Sequence, residues 1–77
     1  MNMIKEMIGK RVKELRISKT SLSQVDFAKI LGFDRTYLSK IESGKQNITL
    51  ETMILICEKL NVSLSAFFEP FKEIVRK

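Results

Sequence analysis

The stretch Ser23–Gly44 reads SQVDFAKILGFDRTYLSKIESG, and it predicts two short helices joined by a tight turn. Ser23 is a favourable N-cap for the first helix, because its hydroxyl can accept a hydrogen bond from a free backbone amide. Gly32 is expected to end that helix, since glycine adopts the left-handed C-cap conformation at little cost. Asp34 is placed to cap the second helix, which Gly44 ends. The expected apolar faces are Phe27, Ala28, Ile30 and Leu31 in the first helix, and Leu38 and Ile41 in the second.

Three further helices are predicted around this pair, so we expect an all-α fold. Apolar residues recur at helical spacing in the first segment of the chain. Thr49 and Ser63 are N-cap candidates for a fourth and a fifth helix. Pro70 interrupts the fifth, because proline lacks an amide proton. The tail FKEIVRK either resumes as a short helix or frays. The expected limits are about 3–19 for the first helix, about 50–60 for the fourth and about 63–69 for the fifth.

Length and charge suit one small domain with two different surfaces. The chain has 77 residues, which predicts a single domain over residues 1–77. Its net charge of +5 is unevenly placed, since residues 1–48 carry ten basic and five acidic side chains and residues 49–77 carry four of each. A basic half beside a neutral, apolar half suggests one surface for a polyanion and one for packing. The alternative is an ordinary solvated helix surface.

The residue types argue against several other classes of protein. The chain has no histidine and one cysteine, Cys57, which excludes an intramolecular disulfide and a zinc-ligand set. Its three glycines are far apart and form no phosphate-binding loop, so we expect no enzyme activity and no cofactor. The longest uncharged apolar run, residues 53–57, is far too short for a membrane span, and the first residues lack the apolar core of a signal peptide. These features predict a cytoplasmic protein.

The spacing of the central stretch is that of a helix-turn-helix, F-A-x-x-L-G-F-x4-L-x-x-I over residues 27–41. Residues 9–68 resemble the Cro/lambda-repressor-type family, also called Xre-type. Within it, RTYLSKIESGKQNITL at residues 35–50 is similar to the controller proteins of restriction–modification systems. Those proteins are small dimers that regulate their own gene and the adjacent endonuclease gene. The resemblance implies a compact five-helix lambda-repressor-like DNA-binding domain, with the helix-turn-helix at about residues 23–44 and a dimerisation region at about 50–71.

The residues expected to read bases lie on the outward face of the second helix of the pair. The N-terminal residues of a helix that enters the major groove meet the base edges. Arg35 can donate two hydrogen bonds to guanine, and the methyl group of Thr36 can contact thymine. The ring of Tyr37 can cover the edge of the core while its hydroxyl reaches a phosphate or a base. The resemblance places Gln46 where controller proteins often carry a base-contacting arginine, which predicts a different operator preference. The expected base contacts are Arg35, Thr36, Tyr37, Ser39 and Gln46.

A second set of residues is expected to bind phosphates, which position a protein on DNA without specifying sequence. Gln24 opens the first helix of the pair, where free amides and the helix dipole favour an anion. The resemblance also assigns Gln24 to the DNA backbone. Each of these side chains alone is equally consistent with plain surface, and Asn47 also suits a turn. The expected phosphate contacts are Gln24, Lys40, Ser43, Lys45 and Asn47.

The resemblance implies a structural ion pair between Arg16 and Glu42, which would join the first helix to the third. The fourth helix is apolar almost all the way round, so it is either central or presents a second face to another chain. We expect a symmetric homodimer through the fourth and fifth helices, with an interface formed by Leu55, Ile56, Leu64, Phe67 and Phe68.

Two-fold symmetry would place two recognition helices about 34 Å apart, one turn of DNA, and implies a palindromic operator. The expected partners are double-stranded DNA and a second copy of the chain, with RNA polymerase as a further partner where the dimer regulates a promoter, and no membrane partner is expected. Two rival classes remain beside the controller protein: a phage-type or general repressor, and an antitoxin-like module that binds a protein.

Overall fold

The computed structural model describes residues 3–71, which form a bundle of short helices without a strand in that range. The all-α, five-helix expectation is confirmed, and a 3-10 turn follows the fifth helix. The question of how residues 72–77 continue lies outside the described residues. The elements are α1 Met3–Lys19, α2 Gln24–Leu31, α3 Arg35–Glu42, α4 Leu50–Leu60, α5 Leu64–Phe67 and the 3-10 turn Glu69–Phe71.

Hydroxyl caps begin three of the helices, as expected. The side chain of Ser23 accepts a hydrogen bond from the amide of Asp26 at 3.1 Å, and the side chain of Thr49 does the same for α4. Ser63 caps α5 through the amide of Ala66 at 3.0 Å. Asp34 occupies the N-cap position of α3, but its carboxylate makes no cap hydrogen bond, so that part of the prediction is wrong. The backbone carbonyl of Asp34 accepts hydrogen bonds from the amides of Tyr37 and Leu38 at the start of α3.

The turn between α2 and α3 requires Gly32. Its φ of 75° lies in the left-handed region, and its amide donates to the carbonyls of Ala28 and Lys29. The next amide, of Phe33, donates to Ala28 O at 2.8 Å and closes the turn. Asn61 ends α4 in the same way with a φ of 60°, because asparagine tolerates this conformation better than most residues.

The fifth helix is shorter than the sequence suggested. It ends at Phe67, and Pro70 lies inside the following 3-10 turn instead of interrupting the helix. Proline is tolerated in the first turn of a helical segment, where no amide proton is required. Phe71 closes this turn by donating to Phe68 O at 2.9 Å.

All five helices contribute residues to the core. Burial raises the pKa of the Cys57 thiol, which keeps it protonated, and its side chain packs as an apolar group. Ile30 is 48% exposed, so its expected place on the apolar face of α2 is wrong.

None of the helices within residues 3–71 has the length and hydropathy to cross a bilayer. The buried apolar residues are Val12, Leu15, Phe27, Ala28, Leu31, Leu38, Ile41, Met53, Ile56, Cys57, Leu60 and Phe67.

Candidate nucleic-acid interface

The first turn of α3 presents two side chains to solvent. Arg35 and Thr36 are exposed, while Leu38 and Ile41 on the opposite face of the helix are buried in the core. Within residues 3–71, the Arg35 guanidinium has no hydrogen-bond or ion-pair partner. Its five donors are therefore free for an external acceptor.

Tyr37 is half-buried and packs its ring against Phe33. The two ring centroids lie 4.9 Å apart, with an interplanar angle of 80°. This edge-to-face contact holds the turn against the start of α3. Ser39, which directly follows the buried Leu38 in α3, is also half-buried. Both residues thus border the outward face, and Tyr37 contributes to the edge of the core.

Exposed polar residues continue along the end of α3 and into the segment that follows it. Lys40 and Ser43 are exposed, and the hydroxyl of Ser43 donates to Lys40 O at 3.3 Å. Lys45 and Asn47 are exposed beyond the helix. Gln46 is half-buried, and its Nε2 donates to Asn47 O at 3.2 Å. Four of the predicted phosphate contacts are therefore exposed within residues 40–47, and Gln46 is half-buried among them.

Gln24, the remaining predicted phosphate contact, lies at the start of α2 and is half-buried. Its Nε2 donates to Glu42 Oε1 at 3.0 Å, which ties the start of α2 to the end of α3. An amide nitrogen carries two protons, so one remains for another acceptor. The hydrogen bond to Glu42 was not expected from the sequence.

Arg16 and Glu42 form the expected ion pair. Arg16 Nε donates to Glu42 Oε2 at 2.8 Å and Nη2 donates to Oε1 at 3.0 Å, so the pair is bidentate. Arg16 Nη1 also donates to Leu22 O at 3.0 Å, which anchors the loop between α1 and α2. The hydrogen bonds to Glu42 raise the pKa of the Arg16 guanidinium above its ordinary value, so Arg16 stays charged across the whole neutral range. The pair, with Gln24, joins α1, α2 and α3.

A close crossing of α1 over the end of α3 was not foreseen. A methyl group added at Gly9 would overlap the carbonyl oxygen of Ile41 and lie 3.0 Å from Gly44 N. One added at Gly44 would lie 2.7 Å from the Cα of Glu6. Gly44 also has a φ of 78°, and the amide of Lys45 returns to Lys40 O at 2.9 Å. A glycine in mid-helix was the available signal, since it costs about 1 kcal/mol relative to alanine unless packing requires it.

Arg11 joins α1 to α5, a contact that the sequence did not indicate. Its Nε donates to Phe67 O and its Nη2 to Ala66 O, each at 2.8 Å. Its Nη1 lies 3.2 Å from Glu14 Oε1. These contacts place a positive charge at the C-terminus of α5, where the helix dipole favours it. Arg11 thus fixes the one-turn helix α5 against α1.

The expected dimer residues fall into two groups. Ile56 and Phe67 are 0% exposed within a single chain, so their assignment to an interface is wrong. They belong to the faces of α4 and α5 that pack on the core. Leu55 and Phe68 are half-buried, and Leu64 is 37% exposed. Leu50 and Ile54, which were not among the expected interface residues, add exposed apolar surface on α4.

Comparison with known proteins gives consistent matches. The sequence model of the helix-turn-helix family matches residues 12–67. Control protein C.MunI from a Mycoplasma species is 42% identical over 73 residues, which cover 95% of this chain and 99% of C.MunI. Antitoxin PezA from Streptococcus pneumoniae is 44% identical over 57 residues, which cover 74% of this chain but 35% of PezA. The similarity to C.MunI thus extends along nearly the whole of both chains, whereas the similarity to PezA covers about a third of PezA.

Solved structures agree with the sequence comparison. The wild-type restriction–modification controller protein C.Esp1396I has a TM-score of 0.83 and 31% identity, with all of both chains covered. The same protein, as a tetramer in complex with its natural 35 base-pair operator, has a TM-score of 0.82 over all of both chains.

Proposed function

This chain belongs to the helix-turn-helix family, and we propose that it is a controller protein of a restriction–modification system. In this role it is a transcriptional regulator that binds double-stranded DNA sequence-specifically as a homodimer. The observation that carries the proposal is the likeness to C.MunI over 95% of this chain and 99% of that protein. Its targets are the promoters of its own gene and of the adjacent endonuclease gene, in the cytoplasm. It acts by binding and catalyses no reaction.

Base reading begins at the first turn of α3. Arg35 is exposed there without a partner among residues 3–71, so it can donate two hydrogen bonds to a guanine in the major groove. Thr36 offers its methyl group to thymine, and Tyr37 and Ser39 border the same face. Gln46 donates one amide proton to Asn47 O, so its second proton and its carbonyl oxygen are left to contact a base.

Phosphate binding surrounds this reading face. The exposed cation Lys40 lies in the last turn of α3, and the exposed cation Lys45 lies in the segment after the helix. Ser43 lies between these two lysines, and Asn47 follows Lys45. Gln24 donates one amide proton to Glu42, and we assign its second to a phosphate at the start of α2. These contacts hold α3 in register without selecting a sequence.

Dimerisation uses the apolar surface that α4 and α5 leave exposed. Leu50 is 67% exposed, Ile54 and Leu64 are exposed as well, and Leu55 and Phe68 are half-buried beside them. This half of the chain carries no net charge, which suits contact with a second copy. A two-fold axis here places two α3 helices about 34 Å apart on a palindrome. A dimer bound where it blocks RNA polymerase represses the gene. A dimer bound upstream, where it can dock RNA polymerase, activates the gene.

The test of the function is a selection of bound fragments from sheared genomic DNA of the source organism at physiological salt. A palindrome enriched upstream of this protein's own gene, beside a restriction or methyltransferase gene, supports the controller assignment. A palindrome elsewhere replaces it with a general or phage-type repressor. Recovery of DNA without sequence preference overturns the proposal and directs the search to a protein partner, as in an antitoxin.

Arg35→Ala is expected to weaken operator binding by about 1–3 kcal/mol and to relax specificity at one base pair, because the bidentate contact is lost. Lys40→Ala is the matched comparison, since it is expected to weaken binding to all sequences equally and to flatten the salt dependence. Binding titrations on the operator and on single-base variants measure both effects. An Arg35→Ala protein with unchanged affinity and sequence preference would show that the assigned face does not contact DNA.

Leu64→Glu is expected to shift the chain from dimer to monomer at micromolar concentration, because it places a charge in the apolar interface. Ile30→Glu, at a residue of similar exposure on α2, is the control and should leave the dimer intact. Sedimentation equilibrium with and without DNA measures the change. A monomeric wild-type chain under both conditions would exclude the dimer.

A further inference from the structure

A groove of about 190 Å³ lies between the first turns of α1 and the segment that follows α3. Its apolar lining includes Ile8 and Ile41. Its polar lining comes from Lys5 on α1 and from Gln46 and Asn47 in the segment after α3. The groove therefore places an α1 lysine beside residues already assigned to DNA contact.

The close crossing of α1 over α3 fixes the position of Lys5. Gly9 packs directly on the backbone of Ile41 and Gly44, so α1 cannot move away from the end of α3 without opening this contact. Lys5 lies four residues before Gly9, on the same face of α1 and one turn nearer its start. That turn brings Lys5 past the end of α3 to the segment 45–48. The placement is thus set by backbone packing and does not depend on a flexible loop.

The charge of Lys5 is not used elsewhere in the described part of the chain. Within residues 3–71 its ammonium has no ion-pair or hydrogen-bond partner, whereas Arg11 and Arg16 donate to carboxylates and carbonyls. The adjacent acid, Glu6, lies against Gly44 and does not line the groove. Lys5 is half-buried, so its side chain is already partly restrained. The conformational entropy that it would lose on binding an anion is therefore smaller than for a fully exposed lysine.

We propose that Lys5 binds a DNA phosphate beside the phosphate assigned to Asn47, which lines the same groove. This extends the contact with the DNA backbone from α3 to the first turns of α1. The proposal rests on the function proposed above, because it places Lys5 at the edge of the same DNA interface. Because the dimer is symmetric, it supplies two such contacts, one from each chain. The contact is to phosphate and carries no sequence preference of its own.

The test compares Lys5→Gln with Lys10→Gln, since both remove one positive charge from α1. Lys10 lines a different groove, with Met7, Pro70 and Phe71, so it controls for the loss of charge alone. The probes are the palindromic fragment from the genomic selection and a mixed-sequence duplex of equal length. Affinity is measured over a series of salt concentrations. Thermal unfolding of each variant checks that the fold is retained.

Lys5→Gln is expected to lower the slope of log affinity against log salt by about 1.8 per dimer, for two contacts of about 0.9 each. Affinity should fall about tenfold or more, to a similar degree on both probes, and Lys5→Arg should retain the wild-type slope. Lys10→Gln should change the slope by less than about 0.5, well under one contact.

Equal slopes for the wild type and Lys5→Gln would overturn the inference, and so would equal losses for Lys5→Gln and Lys10→Gln. Either result leaves the proposed function in place as long as Arg35→Ala still loses affinity for the palindrome. A wild-type chain without preference for any sequence would instead count against the proposed function. The two failures are therefore distinguishable.

Discussion

Glu42→Ala is expected to lower the free energy of unfolding by about 3–5 kcal/mol, because it leaves the Arg16 guanidinium buried without its carboxylate. The side chain of Glu42 is 2% exposed and accepts hydrogen bonds from Arg16 and Gln24. The substitution thus removes the group that joins α1, α2 and α3. A chain of this size has about 4–12 kcal/mol of stability in total, so much of it should be lost. Urea unfolding followed by circular dichroism measures the change.

The exposed pair between Arg11 and Glu14 provides a matched control. The Glu14 side chain is 59% exposed, so Glu14→Ala should cost less than about 1 kcal/mol. A double-mutant cycle with Arg16→Met isolates the coupling between Arg16 and Glu42. A coupling energy near zero would contradict the structural role assigned to the pair.

Gly9→Ala is expected to cost about 3 kcal/mol, although alanine normally stabilises a helix interior by about 1 kcal/mol relative to glycine. The sign is reversed because the added methyl group would overlap Ile41 O and press on Gly44 N. Relief of this overlap requires movement of backbone, which is stiffer than a side chain. Both the unfolding free energy and the affinity for operator DNA should fall, since α1 and α3 must separate.

Ser18→Ala near the end of the same helix is the control for Gly9→Ala. Ser18 is exposed, and alanine has the higher helix propensity, so this variant should be equal to or slightly more stable than the wild type. Urea unfolding of both variants measures the difference. Equal stability of Gly9→Ala and the wild type would mean that α1 does not cross α3 as closely as described.

Local signals predicted most of the fold. The expected limits of α1 and α4 match the structure, and Ser23, Thr49 and Ser63 cap helices as expected. Caps and helix-ending glycines act within four or five residues, so a single segment contains all the information they need. Ile30 was misplaced because an eight-residue helix has few apolar positions, and the period alone does not set the width of its buried face.

The candidate site was predicted less evenly. Arg35 and Thr36 are exposed because Leu38 and Ile41, on the opposite face of the same helix, are buried. The helical spacing of the apolar residues in the sequence is enough to predict this. Ile56 and Phe67 were assigned to a dimer because α4 and α5 are apolar on several sides. Only packing shows that these two face the core while Ile54 and Leu64 face outward.

By itself the sequence determined the helices, their caps, the glycine turn and the resemblance to a DNA-binding family. All of these follow from residue type and from spacing over short distances along the chain. The tertiary structure alone decided the crossing at Gly9, the Arg11 contacts with α5, the hydrogen bond from Gln24 to Glu42 and the groove beside Lys5. Each joins residues that are distant in the chain, and their distances in space are set by how the helices pack. The position of the recognition helix relative to α1 belongs to that second group.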